Sequence, residues 1–146
     1  MMGLRRFLAL ALAAAGGLVA APPSGAASRP SALPDCLGHP QSKPKAVVFA
    51  CGDGNFGVDH LSWVGWGGSR AIALGSAYLN DCKPYCAAGH FHRYPAILVA
   101  SGTQRCPNGE HAYRTVTWAF VGRSPYPLSS SGTTNPRQSF RCGKVS

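Results

Sequence analysis

Six cysteines, Cys36, Cys51, Cys82, Cys86, Cys106 and Cys142, constrain this chain more than any other feature. An even set in a short chain reads as three disulfides, provided the chain reaches an oxidising compartment. The N-terminus supplies that condition. Arg5 and Arg6 precede an apolar stretch of about 15 residues, Phe7 to Ala21, which ends in small residues and the helix-breaking pair Pro22 and Pro23, the order of a secretion signal. Gly25 and Ala27 satisfy the small-x-small rule, so cleavage is expected after Ala27 and the product is expected to be extracellular. The stretch falls short of the roughly 20 residues that cross a bilayer, and no transmembrane segment is expected elsewhere. No cysteine at the junction offers a lipid attachment site, and the Arg5-Arg6 pair leaves the twin-arginine route open.

Six cysteines pair in 15 ways. Closeness in sequence, and the need to tie a loose end, favour Cys36 with Cys51, Cys82 with Cys86 and Cys106 with Cys142, although spacing alone leaves the other connectivities open. Residues 28–146 suffice for one domain with a modest core. Loss of Arg5 and Arg6 lowers the formal charge from +9 to +7, which favours anionic partners such as wall polymers, lipid headgroups or nucleic acid.

The apolar pattern predicts strands. Pro30, Pro34, Pro40 and Pro44 stand too close for a helix or a central strand, so residues 28–45 read as an arm pinned by Cys36. Ala46–Cys51 is a β-branched and aromatic run ending in a glycine turn. Val58–Val64 alternates, with Leu61 and Trp63 opposite His60 and Ser62. Arg70–Asn80 sets Ala71, Ala73 and Ala77 against Ile72, Leu74 and Tyr78, which suits a long twisted strand, with a helix as the rival. Phe91–Ser101 follows, with Pro95 marking an edge or bulge, and His111–Gly122 sets Val116, Trp118 and Phe120 against Tyr113, Thr115 and Thr117. The expected fold is all-β: a small disulfide-stapled antiparallel sandwich or barrel of about five or more strands over residues 46–122, with a Pro/Ser-rich tail, 123–146, tied by Cys142.

The segments Cys51-Gly-Asp-Gly-Asn55, Leu61-Ser-Trp-Val-Gly-Trp-Gly-Gly68, Asn80-Asp-Cys-Lys-Pro-Tyr-Cys-Ala-Ala-Gly89 and Tyr94-Pro95 resemble a group of small exported proteins common in actinomycetes. The resemblance spans residues 36 to 121 and is most specific around Cys82 and Cys86. That group has no established activity, so the resemblance implies export and a shared domain and transfers no catalytic residue.

Gly52-Asp-Gly-Asn-Phe-Gly57 matches G-x-G-x-x-G, but the residues after it do not form a helix pattern, and no nucleotide cofactor is expected. His90 and His92, two apart on a strand, point the same way, and His60 from a neighbouring strand would complete a zinc or copper site with Asp59, Asp81 or Glu110. The competing reading has these histidines bonding backbone groups at turns. A pair among Asp53, Asp59, Asp81 and Glu110 would serve a hydrolase, although Asp53 and Asp81 sit in turns that short carboxylates cap. Ser69 and Ser76 lack the G-x-S-x-G setting, and paired cysteines provide no thiolate, so no catalytic residue is assigned.

Trp66 in its glycine loop and Tyr85 between two cysteines are the expected exposed aromatic anchors, with Arg70, Lys83 and Arg93 as basic contacts. The leading expectation is a secreted, non-enzymatic domain for an anionic polymer, a glycan or an extracellular protein. A small metal-dependent or carboxylate-based hydrolase and a protease inhibitor presenting the Cys82–Cys86 loop are the alternatives.

Overall fold

A computed structural model describes residues 28–122 and 137–143. The expected signal peptide over residues 1–27 and most of the expected tail lie outside the described residues. Two short strands, β1 (Leu33–Pro34) and β2 (Pro40–Gln41), pair with each other. The remaining strands are β3 (Val47–Val48), β4 (Phe56–Val64), β5 (Arg70–Asn80), β6 (Phe91–Arg105), β7 (His111–Phe120) and β8 (Arg137–Ser139). They form one antiparallel sheet in sequence order, curled around the core. The chain is therefore all-β and antiparallel with three disulfides, as its sequence predicts, and the only helical turn among the described residues is a 3-10 turn at Cys86–Ala88.

On β5 the two faces of the sheet differ in bulk. Ala71, Ala73 and Ala77 of β5 and Ala96 and Ala100 of β6 point inward and are fully buried, whereas Ile72 and Leu74 point outward. Registered rows run Ala71–Ala100–Val116 and Ala73–Leu98–Trp118 across β5, β6 and β7. Small side chains on the inner side let the strands bend toward it while keeping close packing. Leu33, Phe49 and Phe140 fill the hollow, with the Phe49 ring 4.2 Å from Trp118 and 5.1 Å from Phe56 between centroids.

Val58 and Leu61 both face inward although three positions apart, which strict alternation forbids. A β-bulge between Asp59 and Ser62 resolves this by setting His60 and Leu61 opposite Gly75 alone. His60 takes a left-handed φ of 55° there and stays in solvent. A Cβ at Gly75 would collide with the Asp59 carbonyl and the Val58 and Leu61 side chains, so the midway glycine of β5 makes room for the bulge.

Pro95 lies within the long strand β6, yet the ladder to β7 begins only at Ala96. Val121 donates to the Pro95 carbonyl at 2.8 Å, so proline's missing N–H faces the side where that ladder has ended. Phe91–Tyr94 is thus a local edge, paired with β5 alone among the described residues.

Residues 28–45 are more than an arm pinned by Cys36. Ser31 donates to the His111 carbonyl, Tyr113 donates to the Ala32 carbonyl, and Leu33 is buried in the core. Tyr113 and Thr115, which alternation sets opposite Val116 and Trp118, are buried as well. The disulfides join Cys36 to Cys51, Cys82 to Cys86 and Cys106 to Cys142, the pairing that proximity favours. Gln104 secures the last of these by donating to the carbonyls of Tyr113 and Phe140 and accepting from Cys142 N–H. Among the described residues no helix is long and apolar enough to cross a membrane.

Candidate functional site

The outward face of the sheet carries an open dish of about 410 Å³ lined by Ala46, Asp59, Tyr78, Phe91 and Arg93. Three strands build it. Asp59 sits on β4 at the bulge, Tyr78 pairs with Arg93 across β5 and β6, and Phe91 lies two residues before Arg93 on the same side of β6. Phe91 and Tyr78 meet edge to face at 5.9 Å between centroids, and the Arg93 guanidinium lies 5.9 Å from the Tyr78 ring centre. Gly57, opposite Tyr78 in the β4–β5 register, leaves the space that the Tyr78 hydroxyl occupies.

Arg93 grips Asp59 with both ends of its fork, Nη1 at 2.7 Å and Nη2 at 2.9 Å, and Nη1 also reaches Ser76 Oγ at 3.4 Å. His60 Nδ1 lies 2.7 Å from the same Asp59 carboxylate. The Arg93 hydrogen bonds hold the Asp59 carboxyl below the usual range against the opposing effect of burial, with His60 adding to Arg93. Asp59 in turn raises Arg93, and burial, with the Asp59 charge second, pushes the Tyr78 phenol up. Nε and one hydrogen of Nη2 remain unengaged among the described residues, as donors beside the two rings.

The anticipated residues divide between this dish and other places. Arg93 lines it. Tyr85 and Lys83 are exposed on the Cys82–Cys86 loop, which joins β5 to β6 beyond Asn80 and Phe91, and Arg70 is exposed near the far end of the same face. Trp66 is not an exposed anchor. It packs at 4.9 Å from Trp63 and 5.2 Å from Tyr113 between ring centroids, and its indole N–H donates to the Ser31 carbonyl. The buried Tyr113 hydroxyl accepts from Gly67 N–H and donates to Gly68 C=O, which holds that glycine loop down on the sheet.

The three histidines do not converge. His60 belongs to Asp59 at the bulge, His92 Nε2 lies 3.1 Å from Asp81 Oδ2, and the His90 backbone N–H donates to Asp81 Oδ1. No cluster of three His, Cys, Asp or Glu side chains suited to a metal ion exists among the described residues, which corrects the zinc or copper expectation. Asp81 is held far below the usual carboxylate range, first by the His90 N–H, then by His92 and the Lys83 N–H. Glu110 accepts from Ser31 and Asn108 at a separate turn.

Tyr78 and Phe91 are the dish residues that the sequence reading did not single out as a pair. Their signal was parity: Tyr78 shares a face of β5 with Ile72 and Leu74, and Phe91 shares a face of β6 with Arg93. A second, smaller crevice of about 170 Å³ lies among Leu33, Cys36, Val47, Val48 and Phe140 and is largely apolar. Comparison with models of known protein families, with curated proteins and with solved structures finds no match to this chain.

Proposed function

We propose that this chain is an exported, non-enzymatic binding domain that holds a glycan in the dish formed by Asp59, Tyr78, Phe91 and Arg93. The observation that carries this reading is the placement of two aromatic rings beside a mutually neutralised carboxylate–guanidinium pair. A sugar ring offers apolar C–H edges that stack on aromatic faces and hydroxyls that bond planar polar groups. Because Asp59 and Arg93 cancel each other's charge, the dish favours an uncharged polar ligand over a densely anionic one. Export rests on the leader-like N-terminus, the resemblance to small exported actinomycete proteins and the three disulfides.

The alternatives gain less support. Catalysis by a glycosidase calls for a carboxyl kept protonated by a raised pKa, whereas Asp53, Asp59 and Asp81 are all lowered by hydrogen bonds. A protease inhibitor offers an extended segment, but Lys83, Pro84 and Tyr85 are cinched between cysteines four positions apart.

Titration calorimetry against a panel of neutral and acidic oligosaccharides tests the proposal. A saturable signal that falls at least about tenfold in Phe91→Ala and in Arg93→Ala supports it. No binding across the panel, or binding that both variants retain, overturns it.

A further inference from the structure

The outward face also carries a second surface, beyond the dish and independent of it. Val64, Ile72 and Leu74 are 65%, 44% and 58% exposed, and cross-strand pairing continues them into Val99 and Ile97. Large aliphatic side chains on adjacent strands of a water-facing sheet form an apolar patch of the kind that marks a docking site. Its borders are cationic. Arg70 lies two residues from Ile72 on the same side of β5, and Arg137 ends the registered row Val64–Ile72–Val99–Thr117–Arg137.

The five acids of the chain are Asp35, Asp53, Asp59, Asp81 and Glu110. Of these only Asp59 belongs to the outward face of the strands, and Arg93 already neutralises it. Among the described residues Arg70 and Arg137 form no ion pair, which leaves the rim positively charged there.

We propose that this face rests on an anionic lipid surface, with Val64, Ile72 and Leu74 entering the headgroup layer and Arg70 and Arg137 meeting its phosphates. Apolar insertion and attraction to anionic headgroups act together in such shallow binding. A second copy fits less well, because stacking two copies would oppose two cationic rims in a chain that keeps a formal charge of +7 without Arg5 and Arg6.

The test is sedimentation of protein recovered from the medium of its producing cells with two kinds of vesicle: phosphatidylcholine alone, and phosphatidylcholine with about one third phosphatidylglycerol. The expected result is partition to the anionic vesicles that weakens as salt rises and falls at least about tenfold in the Leu74→Asp variant. Should Leu74→Asp fail to fold, the Arg70→Ser/Arg137→Ser variant reads the same surface through its charge. Phe91→Ala keeps lipid binding, which separates this face from the glycan dish. Equal partition to both vesicles, no partition, or undiminished partition in a folded variant overturns the proposal. A concentration-dependent dimer that Leu74→Asp abolishes also overturns it, assigning the face to a second copy.

Discussion

Arg93 and Asp59, on strands separated by β5, are joined by two hydrogen bonds of 2.7 and 2.9 Å that pass over Ser76. The bulge at Asp59–Ser62 makes this possible: it turns Leu61 inward while Asp59 stays on the outward face.

The pair has a pH signature. Asp59 is lowered in the folded state, so its contribution is fully present above the unfolded carboxylate value of about 4 and is lost as pH falls through the lower folded value. The pair is partly exposed, so solvent screening keeps the contribution small. Urea unfolding should find Arg93→Ala less stable than wild type at pH 7, with the two converging toward pH 2. A difference that stays constant with pH would assign the effect to packing of the arginine stem.

Phe91 and Trp66 should separate recognition from stability. Phe91 is 56% exposed, so Phe91→Ala should shift stability by no more than about 0.5 kcal/mol while removing the glycan signal. Trp66→Ala empties the space between Trp63 and Tyr113 and frees the Ser31 carbonyl, a loss of about 3 kcal/mol. Chemical denaturation checks both.

Gly75→Ala should destabilise by about 1–3 kcal/mol, since the added methyl meets the Asp59 carbonyl and two core side chains. Gly102→Ala is a contrasting control. Its Cβ would find only the Arg114 side chain at 3.7 Å, and the penalty there comes from a left-handed φ of 66°. Comparing the two melting temperatures separates crowding from backbone strain.

The disulfides should rank by the length of chain they close. Replacing Cys106 and Cys142, 36 positions apart, by alanine should remove about 4 kcal/mol, against about 2 kcal/mol for Cys82 and Cys86, four apart. Denaturant midpoints of the two double variants give the order directly.

Much of the fold was legible in the sequence because alternation survives wherever the sheet is regular. Arg70–Asn80 reads off residue by residue, and β6 and β7 begin where their apolar runs begin. What alternation does not reveal is which side is inside. A preference for burying bulk would turn Ile72 and Leu74 inward, yet on β5 the inner side is taken by Ala71, Ala73 and Ala77. Trp66 was misplaced for a related reason. Its glycine neighbours mark a loop, but they carry no sign that Tyr113, 47 positions later, would hold the loop down. The dish was half legible: Arg93 stood out by its charge, while Tyr78 and Phe91 meet only through a pairing that local sequence does not encode.

The alanine-lined inner side divides the chain's capacity for change. Ala71, Ala73, Ala77, Ala96 and Ala100 have no room to grow, whereas Ile72, Leu74 and Phe91 support nothing beneath them. Substitutions can therefore accumulate on one side of the same strands without disturbing the other. A scaffold divided in this way can drift toward new ligands one outward residue at a time, while the small inner residues stay fixed and preserve the curl.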